Sequence, residues 1–214
     1  MALRAVKEFE DGDYVNLGAG LPVLCALFIL EGKDVSFEAE NGVLGYGHLL
    51  LAEEWEEADF DYIEAGYRFF APLPGMSFFD MDTSFDLIRG KHLDFTVLGA
   101  LEVSERGDLA NWTWGRIESG GIGGSMDLAV GAKKVIILMP HATKRGEAKI
   151  VKECKFPLTA KEYVNLVITD LGVIEATEKG LVLKEIASGW FPHEVQYLTE
   201  PKLIVADDLK EIEL

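Results

Sequence analysis

The sequence from residue 37 to residue 47 reads Phe37-Glu38-Ala39-Glu40-Asn41-Gly42-Val43-Leu44-Gly45-Tyr46-Gly47, and it decides the fold of this chain. An apolar, strand-like run ends at a carboxylate, and a glycine-rich turn follows directly. Glycine permits positive φ and a close approach of the backbone, which is the geometry wanted around a residue that attacks a bound substrate. Glu40 is therefore a candidate site residue. Glu38, on the same side of the strand, is its rival, and an ordinary exposed or capping acid is the structural alternative.

Short apolar runs, often β-branched, recur along the whole chain and predict strands. They lie at residues 15–17, 35–37, 95–98, 135–139, 166–168, 181–183 and 203–205. Strands that are apolar on both faces indicate a buried, mainly parallel or mixed sheet.

Helices are predicted between several of these strands. Apolar spacing predicts them at residues 3–9, 22–30, 83–89, 125–131 and 161–166. Pro22 suits a helix start, and Thr159 to Glu162 has the pattern of a capping box before the last of these helices. Alternating elements predict an α/β fold with a mixed, largely parallel sheet covered by helices.

Length and charge limit the possible partners. A chain of 214 residues fits one domain, residues 1–214, because single domains run to roughly 250 residues before they split. The net charge of −17 repels a phosphate backbone, so neither nucleic acid nor an anionic membrane is an expected partner.

Cysteine usage and the N-terminus indicate a reducing, cytoplasmic location. Cys25 and Cys154 form no metal-like or redox-like pair. The N-terminus lacks the apolar core of a signal peptide, and the longest apolar run, residues 21–30, is about half a membrane span. We expect no membrane segment and no metal site.

Two further glycine turns lie beside predicted elements. Gly120, Gly121, Gly123 and Gly124 precede a helix starting at Ser125, where backbone N–H groups could meet an oxyanion or a phosphate. A tight strand-to-helix turn is the structural alternative. Residues 18–20, Gly-Ala-Gly, also form a turn, but Val23 stands where a dinucleotide fingerprint needs glycine.

Several ordered blocks carry a resemblance to a known family. Glu-Asn-Gly-x-Leu-Gly at residues 40–45, preceded by Asn-Leu-Gly-Ala-Gly-Leu-Pro at residues 16–22, resembles the B subunit of the family I (3-oxoacid type) CoA-transferases. Further blocks follow in the family's order at residues 88–94, 98–103, 107–112, 121–128, 149–151, 157–159 and 180–183. The resemblance extends from about residue 3 to about residue 208 and fades between about residues 50 and 78.

The resemblance implies a covalent mechanism on Glu40. Its carboxylate would attack a bound acyl-CoA, and the released CoA would then form a glutamyl-CoA thioester that a second carboxylic acid reverses. CoA and acyl-CoA are substrates, and no metal, nicotinamide or flavin cofactor is implied. The implied partner is a separate A subunit, in a hetero-oligomer of two A and two B chains.

The resemblance also implies roles for the residues around Glu40. Gly42, Gly123 and Gly124 would orient Glu40 or bind an oxyanion, while Gly18, Ala19, Gly20 and Gly121 would line the CoA or substrate site. Asn41 either orients Glu40 by a hydrogen bond or tolerates a left-handed turn.

Histidines 48, 92, 141 and 193 are too scattered for a metal site and are expected on the surface or in packing. His141 is the best functional candidate among them, because the family often has Glu-His followed by a basic loop there. This chain has Pro140 instead of the glutamate, so no role of that acid transfers to it.

Two alternatives to the transferase share its fold. One is a CoA hydrolase that passes the acyl group to water, and the other is a non-catalytic binding or assembly subunit. The acid substrate stays open among acetate, butyrate, acetoacetate, succinate and 3-oxoadipate. Residues 50–78, rich in aromatic side chains, either shape that choice or pack on the partner chain.

Overall fold

The computed structural model describes residues 1–29, 32–115 and 121–214. Strands are β1 Tyr14–Leu17, β2 Ser36–Ala39, β3 Val43–Tyr46, β4 Ser77–Phe78, β5 Phe95–Leu98, β6 Glu102–Ser104, β7 Leu109–Ala110, β8 Lys134–Leu138, β9 Ile150–Val151, β10 Val164–Ile168, β11 Gly172–Thr177, β12 Gly180–Ile186 and β13 Ile204–Glu211. Helices are α1 Ala2–Ala5, α2 Met81–Arg89, α3 Ser125–Gly131 and α4 Pro192–Tyr197, with 3-10 helices at Val6–Glu8, Pro22–Leu27 and Ala52–Glu57.

A large mixed sheet organises the described residues. Ten strands lie in the order β13-β12-β11-β10-β8-β5-β1-β2-β3-β4. The pairs from β10 through β8, β5 and β1 to β2 are all parallel, whereas β3 and β4 add antiparallel on one side and β11 and β12 on the other. The predicted α/β class with a mixed, largely parallel sheet is therefore confirmed. Strands β7, β6 and β9 form a separate small sheet.

The central strands are buried on both faces. Along β8, Val135 and Ile137 belong to one apolar cluster, while Ile136 and Leu138 belong to another on the opposite face. Side chains alternate between the faces of a strand, so each strand contributes to two cores at once. This explains the continuous apolar runs in the sequence.

Helices α2 and α3 pack closely on each other. Asp80 caps α2, because its carboxylate accepts the Thr83 N–H at 2.7 Å. Gly131 allows the close approach, since a Cβ there would collide with the Ile88 carbonyl. As a result α2 presents buried Ser84 toward the end of β2.

Three of the helix predictions need correction. No helix covers residues 161–166, because Val164 begins β10 and pairs with β8. The Thr159 hydroxyl donates to Asn111 instead of capping a helix, and Glu162 has a φ of 62°. The first predicted helix divides into α1 and a 3-10 turn, and the second is a 3-10 helix over Pro22–Leu27, with Leu30 outside the described residues.

The predicted strands are present with ends shifted by at most three residues, except that β13 ends six residues beyond its predicted end. Strands β3, β4, β6, β7, β9 and β11 were not predicted. None of the helices in the described ranges is long and apolar enough to cross a membrane.

Candidate active site

Glu40 is the first residue after β2, at the carboxyl end of the parallel strands. Its neighbour β1 ends at Leu17, where the Gly18 turn begins, and β5 ends at Leu98. In open α/β sheets, ligands bind at this edge, because the loops that leave parallel strands meet there. Glu40 is half-buried, so its carboxylate is open to a ligand.

Glu38 lies in a different environment from Glu40. It is fully buried, and both of its carboxyl oxygens accept hydrogen bonds: the Ser84 hydroxyl donates to Oε1 at 2.7 Å and the Asn16 amide to Oε2 at 2.8 Å. A buried and fully bonded carboxyl group cannot meet an acyl carbonyl. Between the two rival acids, the geometry favours Glu40 as the nucleophile.

Asn16 connects the two acids. Its Nδ2 atom also lies 3.4 Å from Glu40 Oε2, and its Oδ1 atom accepts the Thr96 hydroxyl at 3.3 Å. No site role was predicted for Asn16 from the sequence. A signal was present, because a polar side chain between apolar Val15 and Leu17 in a buried strand needs partners.

The second glycine turn lies beside Glu40, with Gly124 as the residue of closest approach. A Cβ at Gly124 would lie 3.4 Å from Glu40 Cγ and 3.2 Å from Phe85 Cζ. The N–H groups of Gly123 and Gly124 have no acceptor within the described part of the chain. Gly123 takes a φ of 52°, while Gly121 is exposed with open space beside it. Gly120 lies outside the described residues.

The structure shows which contacts Gly42 and Asn41 make beside Glu40. The Gly42 N–H donates to the Ala39 carbonyl at 2.9 Å, so it is committed to the turn. Its φ is 107°, and a Cβ there would collide with the Phe79 carbonyl. The Asn41 side chain donates to the Ile63 carbonyl at 2.8 Å, not to Glu40, and Asn41 has no positive φ. Both residues shape the hairpin that carries Glu40.

The turn at residues 18–20 contacts the segment 50–78. Gly18 lies against β5, where its N–H donates to the Val97 carbonyl at 2.8 Å. Ala19 lies close to Gly66, since a Cβ on Gly66 would be 3.1 Å from that of Ala19. Ala19 and Gly20 are exposed.

Glu64 is a buried acid that was not predicted from the sequence. Its carboxylate accepts the N–H groups of Gly66 and Arg68 at 2.6 and 2.8 Å. Burial raises the pKa of Glu64, and the charge of Glu40 raises it further. Segment 50–78 therefore reaches the surroundings of Glu40. No pattern in the sequence distinguishes this glutamate from the many exposed ones.

Tyr46 completes the polar set. Its hydroxyl is buried and has no hydrogen-bond partner among the described residues. The pKa of Tyr46 is raised by burial, and then by the charges of Glu64, Glu38 and Glu40. Three carboxyl groups and one phenol thus share this end of the sheet.

His141 is a packing residue. It is buried, and its ring nitrogens contact the hydroxyl oxygens of Thr169 and Thr199 at 3.0 and 2.9 Å. Burial lowers its pKa to about 4, so the ring is neutral at physiological pH. Burial also raises the pKa of Cys25 and of Cys154 to about 12, which leaves both thiols protonated and weakly nucleophilic.

Comparison with known proteins identifies the family of this chain. The family model described as coenzyme A transferase matches residues 1–197. The chain is 45% identical over 202 residues to the B subunit of the succinyl-CoA:3-ketoacid coenzyme A transferase of Helicobacter pylori (strain ATCC 700392 / 26695), covering 94% of this chain and 96% of that protein. It is 44% identical over 205 residues to the B subunit of the 3-oxoadipate CoA-transferase of Pseudomonas putida, covering 95% of this chain and 94% of that one.

A solved structure supports the fold. The glutaconate coenzyme A-transferase from Acidaminococcus fermentans superposes with a TM-score of 0.75 at 18% identity, over 99% of this chain and 86% of that chain. The chain therefore belongs to the coenzyme A transferase family, and within it to the B, or beta, subunits of the family I enzymes.

Proposed function

We propose that this chain is the catalytic B subunit of a two-subunit CoA-transferase, which moves CoA between an acyl-CoA and a short-chain carboxylic or 3-oxo acid through a thioester on Glu40. One observation carries the proposal. Glu40 is a half-exposed carboxylate at the carboxyl edge of the sheet, in contact with Asn16 and directly beside Gly124.

The first chemical step joins Glu40 to the acyl group. A carboxylate oxygen of Glu40 attacks the thioester carbonyl of the acyl-CoA, and the C–S bond breaks to give a mixed anhydride and the CoA thiolate. The N–H groups of Gly123 and Gly124, which lack acceptors in the described chain, are suited to the oxyanion that develops on the carbonyl oxygen.

The second step transfers CoA to the enzyme. The thiolate attacks the glutamyl carbonyl carbon of the anhydride, and the substrate's carboxylate leaves. Glu40 then carries CoA as a thioester, and a second acid reverses both steps. Because each half-reaction exchanges a carboxylate for a thioester, no oxidant, reductant or external base is consumed.

The partner is part of this proposal. The two relatives compared above are B subunits of CoA-transferases. We expect an A-type subunit to assemble with this chain, in a complex of two A and two B chains, and to complete the surface that holds CoA. We propose a cytoplasmic location for the complex and no cofactor beyond CoA itself.

The test is intact-mass spectrometry of the chain co-expressed with an A-type subunit and incubated with acetoacetyl-CoA. Peptide mapping after hydroxylamine treatment should locate the adduct at Glu40, and Glu40→Gln should abolish it. Glu102→Gln is the matched control, because Glu102 is a buried glutamate in the small sheet and should leave labelling unchanged.

The outcomes separate the alternatives. Loss of the Glu40 thioester that needs an acceptor acid and yields the acyl-CoA of that acid supports the transferase. CoA release at the same rate without an acid indicates a hydrolase. A folded complex that binds CoA but forms no adduct would show a non-catalytic binding role.

A further inference from the structure

One buried amide is shared between two carboxyl groups. Asn16 Nδ2 lies 2.8 Å from Glu38 Oε2, 3.3 Å from the Glu38 carbonyl oxygen and 3.4 Å from Glu40 Oε2, so its two N–H bonds are shared between the two acids. Ser84 on α2 holds the other Glu38 oxygen at 2.7 Å, and Thr96 on β5 donates to the Asn16 oxygen. The position of Glu38 therefore fixes the amide that contacts the nucleophile.

Only neutral or acidic groups of the described chain act on Glu38. Asn16 faces it from β1, Ser84 from α2, and the negative charge of Glu40 from the end of its own strand. The charge of Glu38, like the charges of Glu40 and Glu64, raises the pKa of the buried Tyr46 hydroxyl on β3. Burial, and to a lesser extent Glu40, raise the pKa of Glu38 to about 7, against the hydrogen bonds from Ser84 and Asn16.

We propose that Glu38 is a positioning residue for Glu40, which holds the Asn16 amide in place and releases a proton to solvent when Glu40 becomes a thioester. The inference rests on the thioester chemistry proposed above. It assigns Glu38 a role in each half-reaction although Glu38 touches no substrate.

The charge balance explains the proton release. Glu40 carboxylate and acyl-CoA give glutamyl-CoA and a free carboxylate, so the site loses one negative charge. The repulsion between Glu40 and Glu38 then ends, and the Glu38 carboxyl group ionises more easily. When the second acid regenerates the Glu40 carboxylate, Glu38 takes a proton back from solvent.

The consequence is a pH-dependent thioester equilibrium. Because thioester formation releases a proton from Glu38, higher pH favours the thioester over the free carboxylate. The dependence covers the interval between the two pKa values of Glu38 and levels off above the higher one. A pKa difference of one unit between the two states corresponds to about a tenfold change in the equilibrium constant.

The experiment measures that equilibrium in the complex with the A-type subunit. At a fixed ratio of acetoacetyl-CoA to acetoacetate, intact-mass spectrometry gives the fraction of thioester between about pH 5.5 and 8. For the wild type we expect the thioester equilibrium constant to rise measurably and by at most about tenfold over this range. Glu38→Gln keeps the shape and the hydrogen bonds but cannot ionise, so its equilibrium constant should stay flat. Glu102→Gln should keep the wild-type slope.

Ser84→Ala provides a second test should Glu38→Gln fail to fold. It removes a hydrogen bond that favours ionised Glu38, so the slope should move to higher pH. A wild-type equilibrium that is flat with pH, or a Glu38→Gln slope equal to that of the wild type, overturns the inference while the thioester stands. No thioester on the wild type at any pH overturns the proposed function as well.

Discussion

Buried Glu38 makes the stability of the chain depend on pH in a defined direction. Its pKa is raised from 4.5 to about 7 in the folded state, mainly by burial. The folded chain therefore binds more protons than the unfolded chain between these values, and the stability from this group is lost as the pH rises through them. At about 1.4 kcal/mol per unit, the loss is on the order of 3 kcal/mol.

We expect Glu38→Gln to remove this loss. Relative to the wild type, the variant should gain stability as the pH rises from about 5 to 8, as measured by urea unfolding at each pH. His141, whose pKa is lowered, acts in the opposite direction and only at acid pH, so it does not mimic this effect. A constant difference between the two proteins across the range would show that Glu38 ionises normally.

Glycine is required at position 42 because of the backbone conformation there and because of the neighbouring Phe79 carbonyl. At a φ of 107° a side chain is strained, and a Cβ would also collide with the Phe79 carbonyl. We expect Gly42→Ala to lower the free energy of unfolding by about 2–4 kcal/mol. Gly20→Ala is the matched control, since Gly20 has a φ of 86° but open space around it, and should cost only about 1 kcal/mol. Equal losses in urea unfolding would refute the steric explanation.

At the scale of elements, the junction between the glycine turn and α3 is fitted to the end of β2. Gly124 has a φ of −83°, which alanine adopts freely, so substitution there adds no backbone strain. It does add a Cβ 3.4 Å from Glu40 Cγ and 3.2 Å from Phe85 Cζ.

Gly124→Ala should therefore affect chemistry more than folding. We expect the rate of Glu40 thioester formation to fall at least about tenfold, while the melting temperature changes by only a few degrees. Single-turnover labelling and thermal unfolding of the same sample measure the two effects. A large loss of melting temperature with normal labelling would assign Gly124 to packing alone.

His141 makes two hydrogen bonds through its ring and one through its backbone N–H. Thr169 follows β10 and Thr199 follows α4, while the Asp170 carboxylate accepts the His141 N–H at 2.7 Å. His141→Ala removes both ring contacts and leaves a cavity, so we expect a loss of about 2–4 kcal/mol in urea unfolding. Glu40 labelling of the folded variant should be normal. A loss of Glu40 labelling without a loss of stability would show that His141 has a role in the active site.

At the scale of the whole molecule, segment 50–78 has two aromatic faces. Inside, Phe37, Tyr46, Phe70 and Tyr62 contact one another in a row that ends at solvent-exposed Phe78 and anchors the segment to the sheet. Outside, Trp55, Phe60 and Phe69 pack edge to face, and Trp55 and Phe60 remain 57% and 68% exposed.

The proposed assembly predicts that an A-type subunit covers this outer aromatic surface. We expect Phe60→Ala to weaken association at least about tenfold in analytical ultracentrifugation, because large exposed aromatics supply much of the binding energy of interfaces. Tyr197→Ala is a matched control, since Tyr197 is 88% exposed on α4. An unchanged dissociation constant for Phe60→Ala would contradict a contact with the A-type subunit. The remaining role for this surface would then be the choice of substrate.

Much of this architecture could be predicted from the sequence, because buried parallel strands appear as apolar runs. The strand that ends at Glu40 and the turn before α3 are examples. Local patterns failed where a distant partner decided the outcome. The Thr159 hydroxyl bonds to Asn111, so the capping pattern there starts no helix.

The polar network around Glu40 was hardest to predict. Its members Asn16, Ser84 and Glu64 come from separate parts of the chain, and only tertiary packing brings them together. The Gly42 turn was visible in the sequence, but its steric cause, the Phe79 carbonyl, lies 37 residues further along.

The two edge strands of the large sheet, β4 and β13, hinder pairing with strands of other chains in different ways. Strand β4 has only two residues, Ser77–Phe78, which is too short to template another strand. Strand β13 is longer, but it carries exposed Asp207, Asp208, Lys210 and Glu211. A chain adding to that edge would bring its own charges against these at strand spacing. Both borders therefore protect the protein from aggregating through its open β-strands when it is concentrated.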